Sequence, residues 1–362
     1  MSNILFLGNY KSQSGWGIAA KEYLEALLLT EHNIVARPVF MSNEPLLKPS
    51  KKILEAEANR FDKSPDVVIQ NVLPDLFEKH EGYNIGIIHT ETRNCNKLWI
   101  NKINLLDELW VNSELEKLSL TMDGVTCKIS VVPIPVNTKN LEKYERFAED
   151  LQIPEINGKY IFYFIGEHTD RKNILAFVQA FHREFDYHEP VSILIKTNES
   201  SLKDEVNEWH KTSRTRSIYI PEIFVAGQVE EKFIYSIHKT AHCFVCTSRG
   251  ESNCLPIADA LFFNNEVICV KGTYPSDIYY PLAFAVDSQR TPVNTKSPPI
   301  NHIYTGKEYW FDVDILELQA EMRKIYENRN SSHKKESKQF IIDNFSRTAI
   351  SEKIKQCLQS NN

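Results

Sequence analysis

Short apolar runs alternate along the chain with longer stretches of mixed apolar and polar residues, and that alternation predicts buried strands separated by helices. In the first half, runs at residues 3–7, 33–40, 66–70, 84–89, 108–112 and 130–132 predict strands, and the amphipathic stretch 18–29 predicts a helix. The runs lack a strict every-second-residue pattern, as expected for parallel strands covered on both faces. Pro133 and Pro135 close the series.

Residues 138–158 then turn polar and charged, which predicts a linker, helical in part around 142–149. A second series follows, with strands at 160–165, 191–196, 224–226, 243–247 and 266–270 and helices at about 173–185, at 230–238 and after Pro256. The segment 291–299, with three prolines, reads as a loop, and the tail from Ile315 reads as helical. The last helix, at about 346–359, is expected to pack back on the first series. Two successive arrays of this kind predict an α/β chain of two Rossmann-like domains facing across a cleft. Their expected bounds are 1–138, completed by the helix at about 346–359, and 159–345, with the linker at 139–158.

Composition adds limits. A length of 362 residues exceeds the size at which a single core usually keeps growing, which favours two domains. With 42% hydrophobic and 25% charged residues, and no apolar run near the ~20 residues of a membrane span, no transmembrane helix is expected. Residues 1–8 lack the basic flank and long apolar stretch of a secretory signal, and seven scattered cysteines suit a reducing compartment, so the expected location is cytoplasmic. Cys243 and Cys246 form a CxxC without a second pair at zinc-finger spacing and read as buried strand cysteines, so no metal is expected there. A net charge of −6 argues against sequence-independent nucleic-acid binding by the whole surface. It leaves room for a local basic groove, and basic residues are scattered through 48–52 and 196–216.

The strongest local chemistry lies in Thr247-Ser-Arg-Gly-Glu-Ser-Asn-Cys-Leu-Pro-Ile-Ala-Asp-Ala260, where a strand ends and a helix begins. Pro256 suits a first helical turn because its missing N–H would be unpaired there. The leading N–H groups at Asn253, Cys254 and Leu255 can therefore face an anion, aided by the helix dipole. Glu251 and Asp259 flank that position eight residues apart and can take hydroxyls on either side. The plainer reading makes them a solvated loop acid and a helix acid. A second strand-to-helix turn, Ile165-Gly-Glu-His-Thr-Asp-Arg-Lys-Asn173, ends in adjacent cations suited to a diphosphate leaving group.

These two segments resemble glycosyltransferase family 4, a group of retaining enzymes with the GT-B fold. Glu251 and Asp259 fall on the two acids of that family's E-x7-E signature, with Asp in place of the second Glu and Ser252, Asn253 and Cys254 in place of loop glycines. The resemblance implies that Glu251 contacts the transferred sugar, that Ser252 to Leu255 hold the diphosphate through their backbone, and that Asp259 takes the ribose. It places Lys172 on the family's diphosphate lysine after Gly166, with Arg171 substituting for an arginine whose usual position holds Glu167. Gly227 resembles the turn beneath the nucleotide base. His89, at a strand end, resembles a histidine close to the donor sugar, although a lone histidine is also an ordinary hydrogen-bonded residue. Asn112-Ser113 matches a similar loop position.

Near the start, Ser14-Gly-Trp-Gly-Ile-Ala-Ala20 carries a GxGxxA pattern. Residues 9–14 separate its first glycine from the preceding strand, which is too far for a dinucleotide fingerprint. It resembles instead the longer GT-B loop, in which Gly15 and Gly17 permit close backbone approach and Trp16 walls the acceptor site. Asp312-Val-Asp314 reads as a helix cap rather than a metal-binding pair.

The expected activity is therefore retaining transfer of a hexosyl or pentosyl group from a UDP- or GDP-sugar, without a separate cofactor or metal. The leaving group is met by Lys172, Arg171 and the helix start at Leu255. A glycan, lipid-linked glycan, protein or modified nucleic acid remains open as acceptor. Rival readings are a non-catalytic carbohydrate or nucleotide-sugar binder, a sugar-nucleotide epimerase or hydrolase, and an NAD-dependent oxidoreductase.

Overall fold

A computed structural model describes residues 1–41, 46–213, 219–293, 303–329 and 335–360. The chain forms two compact units: one from Met1–Thr138, Pro299–Glu308 and Ile342–Asn362, the other from Lys139–Pro298 and Tyr309–Ile341.

The first unit contains β1 (Asn3–Gly8), α1 (Gly15–Leu27), β2 (Asn33–Pro38), α2 (Lys51–Ala58), β3 (Val67–Asn71), β4 (Tyr83–Ile87), α3 (Lys97–Ile103), β5 (Glu108–Val111), α4 (Glu114–Asp123) and β6 (Lys128–Val131). Its six strands pair in parallel in the order β2-β1-β3-β4-β5-β6. Ile4, Ile34 and Val67 stand in register across three of them. Strand β5 is buried at every position, and its one charged residue, Glu108, accepts from Trp110 Nε1 at 3.0 Å.

The second unit contains α5 (Thr138–Phe147), β7 (Tyr160–Ile165), α6 (Ile174–Glu184), β8 (Val191–Thr197), α7 (Ser201–Thr212), β9 (Ile223–Ala226), α8 (Glu231–Thr240), β10 (Cys243–Val245), α9 (Leu255–Phe262), β11 (Glu266–Val270), α10 (Pro275–Ile278) and β12 (Phe284–Val286). Then come β13 (Ser288–Pro292), β14 (Tyr309–Val313), α11 (Ile315–Glu327), α12 (Lys335–Phe345) and α13 (Arg347–Gln359). A second parallel sheet runs in the order β12-β11-β10-β7-β8-β9. Phe162, Phe164, Phe177, Phe181, Ile193 and Ile195 anchor its core.

Helix α13 belongs to the first unit, where Ile350, Ile354 and Leu358 bury one face. Arg347 forks onto Glu22 of α1 at 2.6 and 2.7 Å, a bidentate pair. Ser346 caps the helix through the Ala349 N–H.

Several boundaries differ from expectation. Residues 139–158 are not a free linker: α5 packs in the second unit, where Asn140 and Tyr144 both donate to Glu231 and Tyr144 stacks on Tyr235. Helix α1 starts at Gly15 because Ser14 caps it, accepting from the Gly17 N–H at 3.2 Å. Thr291 and Pro292 lie in β13, paired with Trp310 and Tyr309, rather than in a loop. Proline is tolerated there because a two-stranded ribbon leaves an outer edge whose N–H groups need no partner. Residues 294–299 of that predicted loop, like Arg214 and Arg216 of the basic stretch, lie outside the described residues. Among the described residues, no helix is long and apolar enough to cross a membrane.

Candidate active site

In the second unit, the two predicted strand-to-helix loops meet beyond the carboxyl ends of β7 and β10. Lys172 Nζ stands 2.5 Å from Glu251 Oε1, and Arg171 Nη1 stands 3.0 Å from the same oxygen. Arg171 also donates to the Gly250 carbonyl at 2.7 Å. Side-chain exposure is only 7% for Glu251 and 15% for Lys172, so these charges act through a poorly screened medium. Burial by itself pushes the Glu251 carboxyl up, but Lys172 and Arg171 outweigh it and hold the group down at about 2. Burial likewise pulls Lys172 down, and the Glu251 charge more than offsets that, leaving its ammonium above the ordinary range.

The backbone fixes this arrangement. Gly166 has no room for a side chain: a Cβ there would lie 2.8 Å from the Phe164 ring, with Lys172 Cε beyond at 3.8 Å. Thr247 Oγ1 donates to the carbonyls of Lys172 and Asn173, and the Arg249 N–H donates to the Arg171 carbonyl at 2.7 Å. Asn173, which precedes α6, adopts a left-handed conformation with φ of 49°. Its side chain donates to Asp312 Oδ1 at 2.9 Å, the same oxygen that Arg249 Nε reaches at 2.9 Å.

Asp312 is therefore a brace between the two loops, not a cap. Asp314 is the residue that caps, accepting from the Leu316 and Glu317 N–H groups of α11. Sequence reasoning missed Thr247, Arg249 and Asp312 as site residues because their partners lie 63 to 139 positions away.

Helix α9 begins at Leu255 with Pro256 in its first turn. Its cap residue Cys254, left-handed at φ 60°, offers no side-chain acceptor to the leading N–H groups. A helix start without a side-chain cap can receive an anion. Ser252, Asn253 and Cys254 are buried, and Asn253 accepts from the Tyr279 hydroxyl at 2.6 Å. Asp259 lies one turn into α9 and is half-buried. Its charge helps raise the phenols of Tyr163, Tyr235 and Tyr279, after burial, which is the larger cause for each. Gly227 closes β9 with φ of 86°, donates to the Thr197 carbonyl at 3.1 Å and accepts from Lys196 Nζ at 2.8 Å.

Cys246 lies just past β10, its sulfur 3.7 Å from that of Cys254 rather than facing Cys243. The shared hydrogen bond lowers Cys246 and raises Cys254. Cys246, Glu251 and Cys254 place potential metal ligands within 4.8 Å of one another. Two cations already hold the Glu251 oxygen, however, and would repel a third.

In the first unit, His89 follows the end of β4 and is buried. Trp16 meets it edge-on at 4.9 Å and Tyr23 stacks at 6.1 Å. Burial pushes the imidazole down to about 3, so it is neutral at pH 7. Glu116 orders the surroundings: Thr90 donates through its N–H and hydroxyl to one oxygen, and Asn112 through its N–H and Nδ2 to the other. That orientation makes Asn112 Nδ2 the donor toward His89 Nδ1 at 3.3 Å, which leaves the imidazole proton on Nε2. Among the described residues, that Nε2 has no protein partner.

The glycines beside Trp16 differ in role. Gly17 is required by its own chain, since a Cβ would lie 2.3 Å from the Ser12 carbonyl oxygen, whereas Gly15 is exposed and open. Both lie within the first turn of α1 rather than in a loop ahead of it.

No protein-family model matches the sequence, and no curated protein does. Among solved structures, the chain is similar to Anabaena HepE in complex with UDP and glucose, at 11% identity and a TM-score of 0.67 over 99% of this chain and 100% of that one. It is similar to sucrose-phosphate synthase from Thermosynechococcus elongatus, at 14% identity and a TM-score of 0.67 over 99% of each chain. It is also similar to a glycosyltransferase from Rickettsia africae, at 13% identity and a TM-score of 0.66 over 99% of this chain and 98% of that one. At these identities the likeness is one of fold. Two parallel α/β units of six strands each, matched over nearly the whole chain, give the protein the GT-B fold.

Proposed function

We propose that this chain is a glycosyltransferase that takes a nucleotide-sugar donor in its second unit. The convergence of Lys172 and Arg171 on Glu251, beyond the strand ends and beside a proline-opened helix start, carries this reading. The pair of cations and the α9 N–H groups would hold the donor diphosphate and stabilise charge developing on the leaving oxygen. Fixed cations then do what a metal ion does elsewhere, so we assign no metal and no further cofactor to the step. Glu251 keeps the two cations together and is placed to accept from a sugar hydroxyl, and Asp259 from the ribose. No side chain need act as a nucleophile: Glu251 is held by the two cations, and the Cys246 and Cys254 thiols engage each other. The site therefore fits transfer with retention by positioning and electrostatics more readily than a covalent intermediate.

HepE, seen with UDP and with UDP-glucose, makes UDP-sugars the first donors to try. A thermal-shift panel of UDP-, GDP- and ADP-sugars and NAD tests the reading. A nucleotide sugar is expected to raise the melting temperature of the native chain, and Lys172→Met to abolish that rise. Stabilisation by NAD alone would sink it, and donor hydrolysis without transfer to any acceptor would replace transfer with hydrolysis.

A further inference from the structure

Among the described residues, a second group of potential metal ligands gathers in the second unit, and the reaction proposed above makes no use of it. His182 lies in the last turn of α6, His210 in the last turn of α7, and Glu222 directly precedes β9. In a parallel sheet, a residue entering β9 sits at the amino edge, whereas Lys172 and Glu251 follow carboxyl ends. His182 is also nine residues down α6 from Asn173, roughly 13 Å along the helix axis. The group is therefore at the far edge of the unit from the Lys172–Glu251 pair.

Its geometry converges on a point. His182 Nε2 stands 2.6 Å from Glu222 Oε1, and His210 Nε2 stands 2.7 Å from the same oxygen. All three ligand atoms lie within 4.8 Å of one another. The side chains are buried, with 3%, 8% and 7% exposure for His182, His210 and Glu222. One histidine would satisfy a clip between helix and strand; here two, from different helices, aim the same ring nitrogen at one carboxylate oxygen. Zn²⁺ bound at about 2.0–2.2 Å to nitrogen and oxygen sets tetrahedral ligand atoms roughly 3.3 Å apart. The two nitrogen–oxygen separations would need to open by roughly 0.6 to 0.7 Å, within the reach of small side-chain rotations. Tyr219 stacks on His210 at 4.1 Å and meets His182 edge-on at 5.5 Å, and Trp209 adds a second aromatic side chain, its ring 4.9 Å from that of His210. Such an apolar wall limits solvent access and strengthens metal–ligand bonds.

We propose that His182, His210 and Glu222 bind one Zn²⁺ ion through two Nε2 atoms and a carboxylate oxygen, tying α6, α7 and the start of β9 together. Each imidazole coordinates through the Nε2 lone pair with its proton on Nδ1, and water completes the tetrahedron.

The test uses the full chain, stripped with a chelator and titrated with Zn²⁺ by calorimetry and thermal shift. One equivalent is expected to bind and to raise the melting temperature, and the His182→Gln/His210→Gln variant is expected to lose both effects. Co²⁺ is expected to give the visible bands of a tetrahedral ion. His210→Cys is expected to keep those bands and add a thiolate charge-transfer band, which a variant that merely misfolds would not show. Failure of the native chain to take up Zn²⁺ overturns the proposal. So does equal uptake by the double-glutamine variant, which would assign the ion to cysteines such as Cys246 and Cys254. The response to nucleotide sugars is expected to be unchanged in His210→Gln, so the two readings fail separately.

Discussion

Lys172 and Glu251, 79 residues apart in sequence, form a nearly dry ion pair with 2.5 Å between Nζ and Oε1, and Arg171 shares the same oxygen. Losing Lys172 leaves Glu251 paired with Arg171, whereas losing Glu251 leaves two adjacent cations without their shared anion. This bears directly on which substitutions the fold will tolerate.

Lys172→Met and Glu251→Gln are each expected to lower transfer from the preferred nucleotide sugar by about 100- to 1,000-fold, the usual loss when one preorganised charge is removed. Lys172→Met should keep the native circular dichroism spectrum, since Arg171 still compensates Glu251, whereas Glu251→Gln leaves two adjacent cations and should keep the fold at a lower melting temperature. Transfer within a few-fold of the native rate would remove that residue from the reaction.

The acid response of the pair has a defined sign. The folded state depresses the Glu251 carboxyl from 4.5 to about 2. Its contribution to stability is then complete above pH ~4.5 and is lost as the pH falls toward ~2. The melting temperatures of the native chain and Glu251→Gln are expected to be furthest apart above that window and to converge within it. A constant gap from pH 6 to pH 3 would contradict the depressed value.

Two glycines two positions apart should respond oppositely. Gly17→Ala puts a methyl 2.3 Å from the Ser12 carbonyl oxygen and is expected to destabilise by about 1–3 kcal/mol. Gly15→Ala meets nothing within 4 Å and should be neutral or stabilising by up to about 1 kcal/mol. Denaturant midpoints for the two variants decide the matter.

Burial holds His89 at about 3, so its imidazole is expected to stay neutral from pH 8 down to pH 5. The ring ¹⁵N shifts should remain flat over that range and report Nε2 as the protonated nitrogen. A titration near pH 6.5 would mean that the ring is hydrated rather than enclosed by Trp16, Tyr23 and Asn112.

Strand β12, at Phe284–Val286, was not legible in the sequence, but eleven of the twelve strands of the two parallel sheets and the two loops carrying Arg171, Lys172 and Glu251 were. Each is a local signal: β7 and β11 read as apolar runs because both their faces are covered, and Pro256 marks the start of α9 by what its own nitrogen lacks. The tail helix α13 was legible for the same reason, through Ile350, Ile354 and Leu358 on one face. Polar residues misled where their partners were distant. The charged segment 139–158 looked like a linker because nothing in it reveals that Tyr144 would stack on Tyr235. Gly15 and Gly17 looked alike because only the folded loop brings Ser12 against one of them.

What the sequence determined by itself is thus the periodic part of the fold and the residue types at its strand ends, since burial periodicity and capping act over a few neighbours. Tertiary structure alone decided that Lys172 and Arg171 share one oxygen of Glu251. It decided that Asp312 braces Arg249 and Asn173, and that two helices and a strand bring His182, His210 and Glu222 together. Those relationships join residues up to 139 positions apart, and electrostatics and hydrogen bonding act on distance in space, to which the order of residues is only an indirect guide.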